Sequence, residues 1–423
     1  VRCSKGAPLE VNCDHRLLGA GAKATSGRWS QGGPRGTERY RVNKRFALVA
    51  VGAALALGLS ACGGGGAGSP AAGETSGGTA APADVTVGVA MPTQTSQRWI
   101  DDGNNVKAGL EKLGYKVDLQ YANDDIPTQA SQLTTMINNG DKVLIIASID
   151  GTALSSQLAD AAAAGIKVIS YDRLIRGSAN VDFYVSFDNF KVGVQQGTSL
   201  LTGLGVLNAD GSENASAAGP FNVELFAGSL DDNNAKFFYD GAMSVLKPYI
   251  DKGTIKIPSG QTDINQIATQ QWKTDVAQRR METLLTSSDA NITLNGVLAP
   301  ADIISRGVIT ALTNAGYGSG GKAFPIVTGQ DADIDNVKLI NDGKQYSTIF
   351  KDTRKLADEA IKVTGDYLSG KEPEANNTKD YDNGNKVVPS YLLESTVVTK
   401  DNVKSVLVDS GYYTQAQVDK GQK

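Results

Sequence analysis

The sequence predicts an α/β protein of two doubly wound parallel-sheet lobes with a cleft between them. Three observations carry that prediction. Short runs of β-branched and other apolar residues recur along the chain, and most are apolar nearly throughout, as strands buried on both faces must be. Helix-like stretches separate them, the pattern of parallel strands joined by crossovers. The alternation then occurs twice, and 423 residues at 40% hydrophobic suffice for two packed cores.

The chain opens with residues 1–41, rich in Arg and Gly and without periodicity, which we expect to be a non-native or untranslated extension ahead of a start at Val42. An apolar run, "FALVAVGAALALGLSA" (46–61), follows Lys44 and Arg45 and ends at Cys62. Its sixteen residues are short for a membrane span, which needs about 20, and fit a signal-peptide core. The stretch "LSAC" (59–62) resembles the lipobox of bacterial lipoproteins. That resemblance implies a signal peptide over 42–61 and lipidation of Cys62. Residues 62–84 are Gly, Ala, Ser, Pro and Thr with almost no bulky side chain, and read as a flexible tether.

Strand-like runs then appear at 85–90, 116–122, 142–148 and 166–170, separated by helix-like stretches at 106–114, 128–140 and 153–165. The last two helices each end in glycine, a common C-cap residue. The second round has strands at 183–187, 221–228, 254–260, 292–300 and 324–330, with helices near 233–246, 264–286 and 303–315.

Composition excludes several chemistries. Residues 1–45 hold ten Lys/Arg and three Asp/Glu, so the remainder carries −11 against −4 for the whole chain. An acidic body without a basic stripe argues against a nucleic-acid partner. Removal of 1–61 takes away Cys3, Cys13 and the only histidine, His15. The mature chain then has no route to a disulfide, a Cys/His zinc site or a Ser-His-Asp triad. Neither cofactor nor metal is expected.

In doubly wound sheets ligands bind beyond the carboxyl ends of the strands. Polar residues stand at those ends: Arg98 and Trp99 after 85–90, Asp172 and Arg173 after 166–170, and Asp232 and Asn234 after 221–228. Asp302 follows 292–300, Asp331 follows 324–330, and Lys351 closes "YSTIFK". Each has a plainer reading: Asp232 and Asp331 as helix caps, Asp172–Arg173 as a local ion pair, Trp99 and Trp272 as core. Taken jointly they suit a neutral sugar. Carboxylates accept from hydroxyls, Asn donates and accepts, Arg offers a planar fork, and indoles stack on the C–H faces. On this reading Arg98→Ala abolishes binding and leaves the melting of the unliganded protein almost unchanged.

Two motifs are set aside. "GYGSGGKA" (316–323) has phosphate-loop spacing but lacks the following Ser or Thr and precedes a strand. "DADIDN" (331–336) begins like a calcium loop but places Asn336 where glycine is needed.

With these residues in view, 85–418 resembles the sugar receptors of bacterial ABC importers, above all the multiple-sugar-binding and xylose-binding type I periplasmic proteins. The stretches that carry the likeness include "RWIDDGNNV", "DLQYANDDIPTQ", "IKVISYDRLI", "DDNNAKFFYDGAMSVLKPYID", "GQDAD" and "YSTIFKDTR". The resemblance implies three crossovers, placed near 190, 350 and 390, between an N-terminal lobe (85–190 plus 351–390) and a C-terminal lobe (191–350 plus 391–423). It implies sugar contacts at Arg98, Asp172, Arg173, Asp232, Asn234, Asp331 and Lys351, with stacking by Trp99 and Trp272. Asp302 joins the expected set, although its neighbour departs from the family: Ala301 stands where xylose-binding relatives tend to have Asn and multiple-sugar relatives an aromatic.

The expectation is therefore a monomeric, non-enzymatic receptor, lipid-anchored at the outer face of the cell membrane. It would hand an aldopentose or aldohexose such as xylose, arabinose, glucose or galactose to an ABC permease. A sugar sensor that addresses a membrane receptor is the alternative. A carboxylate-pair glycosidase is disfavoured by the repeated lobes and tether. A repressor domain would need a DNA-reading helix pair where the secretion signal stands.

Overall fold

A computed structural model describes residues 82–423. The expected extension, signal peptide and Cys62, and the tether up to residue 81, lie outside the described residues. In chain order the first sheet-and-helix run is β1 (Thr86–Met91), α1 (Gln97–Lys112), β2 (Lys116–Tyr121), α2 (Ile126–Asn139), β3 (Val143–Ile146), α3 (Ser155–Ala163), β4 (Lys167–Tyr171) and β5 (Phe183–Phe187). The second contains α4 (Asn189–Gly203), β6 (Phe221–Leu225), α5 (Asn233–Asp251), β7 (Ile255–Lys256), α6 (Ile264–Ile267), α7 (Thr274–Thr286), β8 (Gly296–Leu298), α8 (Asp302–Asn314), β9 (Ile326–Val327) and α9 (Ile334–Asn341). The chain closes with β10 (Ser347–Phe350), α10 (Thr353–Leu368), β11 (Ser390–Leu393), β12 (Thr396–Thr399) and α11 (Gln415–Lys420).

Six parallel strands form the N-terminal sheet in the order β11-β5-β4-β3-β1-β2. Its winding shows in β3, where alternate residues enter different cores. Val143 and Ile145 pack with Val106 and Leu110 of α1 and Leu356 and Val363 of α10. Leu144 and Ile146 pack with Leu133 and Met136 of α2 and Leu158 of α3. That period of two, with both faces covered, explains the unbroken apolar run. Burying one such Val, Leu or Ile side chain contributes about 1.5–3 kcal/mol.

The C-terminal lobe holds a parallel sheet β7-β6-β8-β9 and a separate antiparallel pair β10-β12. Leu200, Val223, Leu225 and Leu246 fill one face, and Phe226, Met281, Val297 and Val308 the other. Two α/β lobes are thus observed as predicted. Here β7, β8 and β9 are much shorter than the apolar runs suggested. The helix expected over 264–286 is broken at Gln270–Trp272, where Gln271 has φ 53°. The third crossing also moves: Tyr391–Leu393 pair with Val185–Phe187 in the first sheet, so residues 391–393 belong to the N-terminal lobe. Among the described residues, no helix is long and apolar enough to cross a membrane.

Candidate functional site

The carboxyl ends of β1, β2, β4, β6, β9 and β10 converge on one cavity, the place where open α/β sheets bind ligands. Arg98 stands at its centre, in the first turn of α1 and almost fully buried. Its Nε donates to Asp102 Oδ2 (2.9 Å), Nη2 to Asp172 Oδ2 (2.9 Å) and Nη1 to Asp331 Oδ1 (3.4 Å). Lys351 Nζ lies 3.0 Å from Asp331 Oδ1 and 3.7 Å from Asp172 Oδ2. Arg173 pairs with Asp232 at 3.0 Å. Both guanidiniums approach the Trp99 ring, Arg98 Cζ at 4.3 Å from its centroid and Arg173 Cζ at 5.0 Å.

Arg98, Asp172 and Arg173 come from the N-terminal lobe; Asp232, Asn234 and Asp331 come from the C-terminal one, so the Arg98–Asp331 and Arg173–Asp232 pairs cross the cleft, and Lys351 holds a carboxylate of each lobe. The rim repeats the arrangement. Gly151 N donates to Asp231 O (3.1 Å), and Arg176 Nη2 donates to the same oxygen (3.1 Å).

The electrostatics follow from burial set against pairing. Burial alone would raise the Asp172 carboxyl, but Arg98, Lys351 and Arg173 outweigh it and hold it down to about 2. Burial likewise opposes the charge on Arg98, and Asp102, Asp172 and Asp331 reverse that, raising its pKa above the ordinary value. For Asp102, burial wins over Arg98 and pushes the carboxyl up to about 6, although Tyr171 OH also donates to it (2.5 Å). Burial pushes Asp232 upward against the pull of Arg173.

Several plain readings and functional readings turn out to be compatible. Asp232 caps α5 through Asn234 N (2.9 Å) and still offers its second oxygen to Arg173. Asn234 Nδ2 donates to Asp172 O (2.8 Å), an oxygen also held by Ser186 Oγ (2.8 Å) and Tyr184 OH (2.7 Å). Trp272 faces the cavity because the chain leaves the helix: it has φ 56°, and its ring lies over Gly228, where a Cβ would come within 2.0 Å of it. Its indole Nε1 and the side-chain oxygen of Gln330 are buried and have no protein partner among the described residues. Seven described residues other than glycine have positive φ, and five of them line the cavity: Asp124, Asp172, Gln271, Trp272 and Asp331. Such backbone costs about 1–3 kcal/mol per residue and clusters at functional sites.

Nine of the ten expected residues line the cavity: Arg98, Trp99, Asp172, Arg173, Asp232, Asn234, Trp272, Asp331 and Lys351. Asp302 does not, and its expected sugar contact is corrected. Ala301 faces the cavity, whereas the next side chain points into the lobe, fully buried and bonded to Gln345, Asp333 N and Thr348. Asp124, Phe238, Gln271 and Gln330 were missed. Asp124 follows β2 and Gln330 adjoins Asp331, so the strand-end rule could have found both. Phe238 lies one helical turn beyond Asn234. Three cations thus face four carboxylates, Asp124 included, which leaves the cavity close to neutral. Among the described residues, no group of three or more His, Cys, Asp or Glu could hold a metal ion.

A family model described as a periplasmic binding protein domain matches residues 87–372. The multiple sugar-binding periplasmic receptor ChvE of Rhizobium radiobacter is 55% identical over 333 residues, covering 79% of this chain and 92% of that one. The D-xylose-binding periplasmic protein of Escherichia coli K12 is 36% identical over 335 residues, covering 79% and 93%. An ABC transporter solute binding protein from Clostridium phytofermentans, solved with bound β-D-glucose, matches at TM-score 0.74 and 48% identity, over 79% of this chain and 99% of that one. By sequence and by fold, the chain belongs to the periplasmic binding protein family, in the type I, two-lobed form.

Proposed function

We propose that this protein is an extracytoplasmic receptor that captures a monosaccharide of the glucose or xylose type in its cleft and delivers it to an ABC importer. One observation carries the reading: a buried, nearly charge-balanced ring of donors and acceptors is flanked by two indoles. A charged ligand would call for a dominant opposite charge, whereas a neutral polyol asks for this mixture. The ligands named for the relatives, multiple sugars, D-xylose and β-D-glucose, support the same class. Catalysis is not part of the proposal, since Asp172, Asp232 and Asp331 are each tied to a cation. Lipidation of Cys62 would tether the receptor to the outer face of the cell membrane.

Calorimetric titration with D-xylose, L-arabinose, D-glucose, D-galactose and L-glutamate tests the ligand class. Saturable binding of at least one aldose and none of glutamate supports the proposal. Binding of glutamate alone, or of no sugar, overturns it. Anchoring is tested separately: Cys62→Ser should move the protein from the membrane fraction to the soluble one.

A further inference from the structure

We propose that Asp302 is a positioning residue that sets the ligand-facing geometry of Gln330 and Asp331 from beneath the cleft, an inference that rests on the sugar-receptor reading. Asp302 starts α8, directly after Ala301 of the cavity wall, and is fully buried. Its backbone N–H donates to Gln330 O (2.9 Å), at one end of the 330–333 segment. Its carboxylate Oδ2 accepts from Asp333 N (2.9 Å), at the other end. One residue therefore holds both ends of a four-residue turn.

Between those ends stand Asp331 (φ 92°) and Ala332 (φ 52°), both in the left-handed region that side chains disfavour. Such a turn persists only where its surroundings over-determine it, and they do so here. Thr348 Oγ1 accepts from Ala332 N (3.1 Å) while donating to Asp302 Oδ2 (3.0 Å), and Asp331 N donates to Ile349 O (2.9 Å). Gln345 Nε2 occupies the remaining oxygen, Oδ1 (2.8 Å). The packing has no slack: a Cβ on Gly329 would fall 2.1 Å from Asp302 Oδ1 and 2.4 Å from Gln345 Nε2. The turn so held presents the Asp331 carboxylate to Lys351 and Arg98, and the Gln330 side chain to the cavity.

Asp302 itself touches no cation, because Arg306 is spent on Asp333 (2.9 Å). Burial, together with the nearby Asp333 and Asp331, pushes the Asp302 carboxyl above its ordinary range. An acid kept at such a site for general stability would be an ill-suited choice. Its value is geometric, as an acceptor that reaches Asp333 N, Thr348 and Gln345 at once.

The test is a double-mutant cycle on the full chain, with D-glucose and D-xylose titrated calorimetrically up to millimolar concentration. Asp302→Asn is expected to lower affinity by about tenfold alone, and by less than about twofold in an Asp331→Asn background. Thr348→Val, which deletes the bridging hydroxyl and keeps the shape, is expected to behave the same way and takes the place of Asp302→Asn should that variant fail to fold. General destabilisation would not vanish in the second background. Unchanged affinity, or equal losses in both backgrounds, overturns the positioning role while leaving the receptor reading intact. Failure of the unsubstituted protein to bind either sugar overturns both.

Discussion

Arg98→Ala gives the sharpest test of the cleft, and the structure reverses one expectation about it. From sequence alone the substitution should spare the unliganded fold. Arg98 is in fact the hub of three buried or half-buried carboxylates. Breaking a buried ion pair from one side costs about 3–5 kcal/mol. Two features favour the lower end. Lys351 remains 3.0 Å from Asp331 and 3.7 Å from Asp172. Asp102, already pushed up to about 6 by burial, can escape as the neutral acid once its cation is gone. A loss of about 3 kcal/mol over a folded body of this size lowers the melting temperature by roughly 4 °C.

The deficit should also depend on pH. In the native protein Asp172 is held to about 2, below its unfolded value of about 3.9. Its stabilisation is complete above that unfolded value and is lost as pH falls towards 2. Without Arg98 much of that contribution is absent at every pH, so the gap between variant and parent should stay nearly constant from pH 7 to about 4 and narrow as pH drops from about 4 towards 2. Calorimetric melting of both proteins at several pH values reads this directly. Sugar affinity should fall roughly 10- to 100-fold, as expected for lost charge-assisted bonds. An unliganded melting temperature within a degree of the parent at pH 7, or a gap that does not change with pH, would refute the hub argument.

Other outcomes follow from the same geometry. Gly228→Ala places a methyl within 2.0 Å of the Trp272 ring; displacing the indole should weaken sugar binding about tenfold or more, at a stability cost of about 1–3 kcal/mol, and unchanged titration curves would contradict it. Trp99→Ala should weaken binding by about 1–3 kcal/mol through lost area and stacking, measured by calorimetry. Asp102→Asn removes an acid whose folded pKa, about 6, lies above its unfolded one. Such a group stabilises the native state at low pH and loses that contribution as pH rises through the window. The variant should therefore gain up to about 3 kcal/mol relative to the parent between pH 4 and 7; chemical denaturation at the two pH values checks it.

Much of the site was legible because the architecture sends every strand end to the same place. Arg98, Asp172, Asp232, Asp331 and Lys351 were found by that rule alone. The rule cannot tell which of two successive residues turns towards the ligand. At 301–302 the small side chain faces the cleft and the charged one faces inward, so a residue-type argument chose wrongly. Trp272 was named without its cause, since a helical pattern over 264–286 gives no sign of the break at Gln271 and Trp272. Residues 391–393 were assigned to the wrong lobe because the partner of β11 lies some two hundred residues earlier, in β5. Long-range pairing of that kind leaves no local trace.

The placement of the tryptophans has an optical consequence. The chain has three, Trp29, Trp99 and Trp272, and the latter two line the cavity. A protein processed at Cys62 would keep only those two, so all of its indole emission would originate at the ligand. Trp99 lies against two guanidiniums whose field a bound polyol would alter, and the brightness or colour of the unlabelled protein becomes a gauge of occupancy. Paired with Trp99→Phe and Trp272→Phe, each emission component could be assigned to one of the two indoles of the cavity.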